Sequence, residues 1–318
     1  MPHDKTIKKV SLLFSVLFGI GFVLPAQAAI LYIDPANSQV NRGETFSVNI
    51  TIDTEGECVN AIEGSLKFSN ELLQAVNVST GSSIILLWPI SPEISQTAGT
   101  INFIGGIPGG YCGKISNDPG ESDIIAKLIF RADPDKISSN PAKVNFLPGT
   151  QVLLHDGQGT AAKLITKGAE LIISGEETSS ENQWQEELKK DKTPPEPFKI
   201  EIVQVPQIFE GKYFITFLTA DKQTGIDYYE VRESPQWLSF KGAKWLKTNG
   251  PPYLLQDQTL SRIIEVRAVD KAGNERIERI VPEHRYGWRD WLPWATLIII
   301  AIVGWLIAKF RRKDEVQH

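Results

Sequence analysis

Apolar and polar residues alternate with a period of two through much of the stretch 30–174. A period of two places successive side chains on opposite faces, which is the pattern of a β-strand with one buried face. The clearest apolar sets are Phe46, Val48, Ile50 and Ile52; Ile62, Leu66 and Phe68; and Ile124, Leu128 and Phe130. Turn signals separate these runs and no long helical pattern lies between them. The stretch therefore predicts an all-β fold in which two antiparallel sheets pack face to face.

A second series of short alternating segments occupies residues 193–283. It opens with Thr193-Pro194-Pro195, and a hairpin turn is predicted at Asp270–Asn274 with Gly273 in the left-handed position. This pattern predicts an immunoglobulin-like sandwich. It resembles bacterial Ig-like or fibronectin type III-like modules, which implies a spacer. Asp270 and Asn274 are assigned to turn hydrogen bonds rather than to ligation.

Residues 175–192 form a charged linker between the two β regions. The segment is rich in Glu, Ser, Gln and Lys and has few apolar residues, so it cannot form a core of its own. Ser180 and Gln183 make a capping box for a helix over 181–190, in which Trp184 and Leu188 share one side. A short semi-rigid spacer is predicted.

The first 28 residues have the three parts of a secretory signal peptide. Three lysines precede an uncharged apolar run over 10–24, and Ala26-Gln27-Ala28 supplies the small-residue cleavage pattern. A short buried helix is the alternative, but the run lacks an amphipathic face. The sequence therefore predicts export, with the mature chain starting after Ala28.

Residues 291–308 carry no charged side chain and predict one transmembrane helix. Tryptophans precede the apolar centre, while Lys309 and three further basic residues follow it. By the aromatic-belt and positive-inside patterns, the protein is predicted at the cell membrane as a single-pass protein. Its N-terminal domains would be extracellular and its tail, 309–318, cytoplasmic. A buried core helix is the alternative.

The two cysteines, Cys58 and Cys112, both fall in the part of the chain that is predicted to be exported. Disulfides persist in oxidising compartments, so a disulfide between them is expected. The alternative is two separate buried thiols.

Composition excludes several classes of function. The formal net charge is -5, which disfavours nucleic acid as a partner. Four His, two Cys and one Met leave little material for a metal or redox site, so no metal and no cofactor are expected. No Ser or Cys lies in a nucleophile motif, and only His155 and His284 are histidines of the exported part. An enzyme is not expected.

The order of segments in the first β region resembles a cohesin domain. The resemblance lies in the segments GETFSV at 43–48, VNAIEGSLKF at 59–68, GTINF at 99–103, IAKLIF at 125–130 and VLLHDG at 152–157. It implies a cohesin-like jelly-roll sandwich over 29–174, of nine strands and related to cellulose-binding modules. Cohesins grip dockerin modules in assemblies that degrade polysaccharide. The Asn and Asp that cohesins often carry on the third strand align here with Ala61 and Glu63.

Four residues are candidates for contact with a partner. Glu63, Ser65 and Lys67 should share the outer face of their strand, for which an ordinary solvated face is the alternative. Trp88, in an apolar run over 84–90, either fills the core or forms a contact patch.

Two functions remain. The first is a membrane-anchored docking protein that binds a dockerin-like module. The alternative is a carbohydrate-binding surface protein that uses the same sandwich to bind a surface polysaccharide, with Trp88 and Tyr111 stacking on sugar rings.

Overall fold

The computed structural model describes residues 28–113, 123–136, 138, 140–177, 182–235, 243–248, 250–282 and 288–314, the last in part by backbone only. The signal peptide predicted at 1–28 lies, except for Ala28, outside the described residues, and so do Ser180 and His284.

The described chain forms nineteen strands and two α-helices. The first twelve strands are β1 Ala29–Asp34, β2 Asn37–Arg42, β3 Thr45–Asp53, β4 Val59–Phe68, β5 Leu73–Ser79, β6 Leu87–Ser95, β7 Thr100–Tyr111, β8 Ile124–Ala132, β9 Ala142–Phe146, β10 Gln151–Leu154, β11 Leu164–Lys167 and β12 Ala169–Glu177. The others are β13 Ile200–Gln204, β14 Tyr213–Phe217, β15 Ile226–Pro235, β16 Leu246–Thr248, β17 Tyr253–Leu254, β18 Arg262–Asp270 and β19 Glu275–Ile280. The helices are α1 Gln183–Lys190 and α2 Trp288–Asp314.

The first sandwich has two sheets. One has five strands in the order β11-β1-β3-β8-β5, and the other follows the order β2-β12-β9-β4-β7-β6, with β10 also paired to β4. Apolar residues from both sheets, between Leu31 and Ile173, form one buried cluster. Two pairings are parallel, β1 with β11 and β2 with β12, because the chain returns at the end of the domain to lie beside its first strands.

Strand β8 departs from simple alternation. The sequence predicts Ile124 in the core, but Ile124 is half-buried and Ile125 is fully buried. The register between β3 and β8 shifts at Ile50/Thr51, so that Thr51 pairs with Ile124 and Ile125 is the extra residue. A bulge of this kind changes which side chains face inward.

Strands β13 to β19 form a three-stranded sheet, β13-β14-β17, and a four-stranded sheet, β16-β15-β18-β19. Buried residues of both sheets, Ile215, Val231 and Val266 among them, form a second apolar cluster. The turn between β18 and β19 has Gly273 at a φ of 87°, and the Asn274 backbone N–H donates to Asp270 Oδ1 at 2.8 Å.

Helix α1 lies in the linker but is not a free spacer. It begins at Gln183, and Asn182 caps it by accepting a hydrogen bond from the Gln185 N–H at 3.3 Å. Trp184 is buried at 3% exposure, and the helix packs beside β3. Lys127 of β8 forms an ion pair with Glu187 at 3.3 Å. The linker is therefore attached to the first sandwich.

The predicted transmembrane helix at 291–308 is wrong, and with it the single-pass membrane localisation. Among the described residues, no helix has both the length and the apolar character needed to cross a membrane. Helix α2 contains Pro293, and its continuous aliphatic run, 297–303, is bounded by Thr296 and Gly304. A crossing takes about 20 predominantly apolar residues. The all-β part of the predicted fold class agrees with the structure.

Candidate functional site

The outer face of strand β4 carries three of the predicted partner-binding residues. Ile62 and Leu66 are fully buried, while Glu63 and Lys67 are exposed and Ser65 is half-buried. This is the alternation that a half-buried strand requires. Because β4 lies between β7 on one side and β9 and β10 on the other, its outward side chains sit inside a broad surface rather than at an edge. We call the outer surface of β10, β4, β7 and β6 the outer face.

Cross-strand hydrogen bonds fix the polar half of the outer face. Gln151 Nε2 on β10 donates to Glu63 Oε2 at 2.7 Å. Ser65 Oγ donates to Asn102 Oδ1 on β7, also at 2.7 Å, and Lys67 Nζ donates to the carbonyl oxygen of Ala98. None of the ion pairs between described residues involves Glu63 or Lys67. Both charges therefore remain available to a partner in orientations already held by neighbours.

The other half of the outer face is apolar. Ala61 pairs with Leu153 and with Gly106, and Ile90 pairs with Ile104. These side chains lie outside the buried core cluster, and Ile90 is 42% exposed. Ala61, Ile104 and Leu153 are half-buried. The outer face thus joins a partly exposed apolar area to a row of charged and polar groups.

Trp88 does not lie with Glu63, Ser65 and Lys67. Its ring meets the ring of Phe103 edge-on, with centroids 5.8 Å apart, and Phe103 is a core residue at 1% exposure. Trp88 is half-buried and packs against the core. Tyr111, the other aromatic considered for sugar stacking, is buried in the core cluster at 9% exposure.

Cys58 and Cys112 form a disulfide in the structure, with an S–S distance of 2.01 Å. Cys58 precedes the first residue of β4 and Cys112 follows the last residue of β7, where Val59 pairs with Tyr111. The bond therefore joins two central strands of the outer face at one end.

Three carboxylates that lie far apart in the sequence converge beside the second sandwich. Asp191, Asp221 and Asp270 are each at most 3% exposed, and one oxygen from each lies within 4.8 Å of the others. None of the ion pairs between described residues involves them. Hard oxygen ligands suit Ca²⁺ or Mg²⁺, so these are the residues that can hold a cation.

Burial and neighbouring groups shift the pKa of the Asp221 carboxyl in opposite directions. Burial raises its pKa above the usual 3.8, and the negative charges of Asp191 and Asp270 add to that increase. The backbone N–H groups of Gly225 and Thr224 donate to it at 2.7 and 2.8 Å and partly offset the effect. Asp191 comes from the linker, Asp221 from the loop between β14 and β15, and Asp270 is the last residue of β18. The one sequence signal is the presence of Asp at each of these positions.

Comparison with known proteins finds solved structures that are similar to part of this chain. No protein-family model matches the sequence, and no curated protein matches it. The seventh ScaB type I cohesin from Pseudobacteroides cellulosolvens is 14% identical, over 48% of this chain and 97% of its own length, with a TM-score of 0.38. The sixth cohesin of scaffoldin B from Acetivibrio cellulolyticus, solved with a Cel5 dockerin, is 14% identical over 46% of this chain and 100% of its own, with a TM-score of 0.37.

A third solved structure, the Coh-OlpC-Doc435 cohesin–dockerin complex from Clostridium thermocellum, is 15% identical over 48% of this chain and 99% of its own, with a TM-score of 0.37. Each likeness covers less than half of this chain and nearly all of the solved chain, and each solved structure is of a cohesin.

Proposed function

We propose that this protein is a docking protein whose first sandwich binds a dockerin-like protein module through the outer face. The observation that carries the proposal is the composition of that face, where Glu63, Ser65 and Lys67 adjoin a partly exposed apolar area that includes Ile90. The resemblance of the sequence to cohesins gives the class of partner and extends the proposal to assemblies that degrade polysaccharide.

The outer face has the anatomy of a protein interface. Such interfaces combine an apolar centre with a polar rim and about 800 Å² of surface on each partner. Here the apolar residues are Ala61, Ile90, Ile104 and Leu153, and the polar row of Glu63, Ser65 and Lys67 borders them on one side. The bonds from Gln151 to Glu63 and from Ser65 to Asn102 hold the polar groups before a partner arrives. Less side-chain freedom is then lost on binding, which favours affinity.

The same geometry favours binding over catalysis. Ser65 Oγ donates to Asn102 Oδ1 rather than to a base, so it is not activated as a nucleophile. Glu63 Oε2 accepts from the Gln151 amide, and no hydroxyl or thiol among the described hydrogen bonds donates to Glu63. The described side chains of the outer face therefore do not assemble a nucleophile with a base.

The experiment is retention of the full chain by a panel of immobilised dockerin modules. Glu63→Arg should weaken retention by about thirtyfold, equivalent to about 2 kcal/mol, because it reverses an oriented interface charge. The matched control is Glu201→Arg, which reverses an exposed charge on β13 of the second sandwich. Both variants should unfold within about 0.5 kcal/mol of the wild type, since both sites are exposed.

Two results would contradict the proposal. If no dockerin in the panel retains the wild-type chain, the class of partner is wrong. If Glu201→Arg weakens retention as much as Glu63→Arg, the outer face is not the docking surface.

A further inference from the structure

A cleft lies between the two sandwiches, on the side of the first sandwich where β6 is the edge strand. Its volume is about 580 Å³, and it is lined by the segment around β6 and by residues of the second sandwich between Leu218 and Lys271. Ligand sites commonly have volumes of about 300–1,000 Å³ and occur preferentially at domain interfaces. The cleft is therefore of a size that accommodates a ligand.

Three aromatic side chains line the cleft: Trp88 from the first sandwich, and Tyr228 and Tyr229 from the second. Tyr229 packs against the core of the second sandwich, so Trp88 and Tyr228 are the two considered for a ligand. Trp88 is held by its edge-on contact with Phe103. Tyr228 lies outside the core cluster of the second sandwich, and the Nζ of Lys247 is 4.1 Å from the centre of its ring. Aromatic rings offer flat apolar surfaces of fixed orientation.

The cleft is lined by charged groups of both signs. Two lysines, Lys247 and Lys271, line it together with the exposed Glu93 and Asp227 and the buried Asp221. Lys271 Nζ is 3.9 Å from Asp227 Oδ1, and Lys247 is engaged with the Tyr228 ring. A cleft that exposes charges of both signs offers both donors and acceptors to a neutral ligand.

The edge of β6 is poorly suited to an added peptide strand. Strand β6 is the last strand of its sheet, and Pro89 and Pro92 lie within it. Proline has no backbone N–H to donate, so the free edge cannot supply a regular ladder of hydrogen bonds. An extended polypeptide is therefore not the ligand that this wall favours.

We infer that the cleft binds a segment of a neutral polysaccharide. The rings of Trp88 and Tyr228 pack against the apolar faces of sugar rings, and Glu93, Asp227, Lys247 and Lys271 exchange hydrogen bonds with sugar hydroxyl groups. This site goes beyond the docking function, because half of it belongs to the second sandwich and it leaves Glu63, Ser65 and Lys67 uncovered.

The test is affinity electrophoresis of the full chain in gels that contain barley β-glucan, xyloglucan, galactomannan or polygalacturonate. At least one of the three neutral polymers should retard the wild-type chain, and polygalacturonate, which is anionic, should retard it less. Tyr228→Ala should lower the affinity for the retarding polymer about tenfold, as expected for the loss of one aromatic contact. This variant is the main readout because Tyr228 lies outside the core, whereas Trp88→Ala also removes core packing.

The control is Trp245→Ala, which removes an aromatic ring that Arg232 and Arg267 contact and that does not line the cleft. It should leave retardation unchanged, and so should Glu63→Arg, which keeps this test separate from the dockerin test. The inference is overturned if no neutral polymer retards the wild type, if polygalacturonate retards it most, or if Tyr228→Ala matches the wild type. Loss of retardation in Glu63→Arg would also overturn it, because the polymer would then lie on the outer face.

Discussion

At the scale of single residues, Asp221 combines burial with like charge. Its carboxyl is at 3% exposure beside Asp191 and Asp270, so the ionised form is disfavoured in the folded protein and its pKa is raised. For an acid with a raised folded-state pKa, the folded state binds more protons than the unfolded state. The contribution of Asp221 to the free energy of unfolding is fully present at pH values below the unfolded pKa of 3.8. It is lost as pH rises through the folded-state pKa.

Asp221→Asn should therefore gain stability relative to the wild type as pH rises. The amide keeps an oxygen that can accept from the Gly225 N–H but cannot ionise. We expect the difference in unfolding free energy, variant minus wild type, to be more positive at pH 7 than at pH 4. Urea denaturation at both pH values, in a chelator so that no divalent cation binds, measures it. A difference that does not change with pH would contradict the expectation.

Sequence could predict some of these residue positions and not others. Glu63 and Lys67 follow from the period of two, because β4 is a regular strand with neighbours on both sides. Trp88 does not follow, because the pairing of β6 with β7 shifts between Leu87 and Ile90, and each shift changes which side chain faces the core. The convergence of Asp191, Asp221 and Asp270 depends on the linker, a loop and the end of β18 meeting in space, which no local pattern encodes.

At the scale of elements, β4 needs a glycine where it crosses the core aromatic Phe103. A Cβ at Gly64 would lie 2.2 Å from Phe103 Cζ. Gly64→Ala should therefore lower the unfolding free energy by about 1–3 kcal/mol, the usual cost of overpacking a core. The control on the neighbouring strand is Gly106→Ala, where the nearest atom to a Cβ is 3.7 Å away. Urea denaturation of both variants should separate them, and equal effects would show that the contact with Phe103 is not the cause.

The disulfide between β4 and β7 gives a second prediction for the elements. Cys58 and Cys112 are separated by 54 residues, and closing a loop of that length contributes about 4 kcal/mol in the chain-entropy model. The double variant Cys58→Ser with Cys112→Ser should lose about that much unfolding free energy. The matching measurement is thiol labelling of the unfolded, unreduced wild type, which should detect no free thiol. Two labelled thiols per chain would contradict the prediction.

Elements were predictable where their local pattern was regular. Strands β3 and β4 lie where the alternation places them. The inward residue of β8 did not follow, because the shift between Ile50 and Thr51 is a feature of pairing rather than of one strand. The helix of the linker was expected, but its cap is Asn182, and the attachment of Trp184 to a sandwich required a tertiary surface that the linker's own composition does not reveal.

At the scale of the whole molecule, the two sandwiches contact each other closely through residues 79–82, at the end of β5, and residues 222–224, before β15. Ser79 Oγ donates to the carbonyl oxygen of Thr224 at 2.8 Å in a buried position, and Ser82 Oγ donates to that of Lys222 at 3.0 Å. A Cβ at Gly81 would lie 2.2 Å from the Gln223 carbonyl oxygen. Domain pairs joined by small polar contacts commonly move relative to each other, whereas here buried bonds and close backbone contact couple them.

The consequence is that Gly81→Val should uncouple the sandwiches. The valine side chain must displace the backbone at Gln223, so the bond from Ser79 to Thr224 opens and the second sandwich loses the support of the first. Differential scanning calorimetry should show one transition for the wild type and two for Gly81→Val, with the new one at lower temperature.

Gly175→Val is the matched control, because no atom lies within 4 Å of a Cβ at that position, and it should keep a single transition. Two transitions in the wild type, or one in Gly81→Val, would mean that these contacts do not couple the sandwiches. The cleft between them would then lack the fixed width that binding a rigid sugar chain requires.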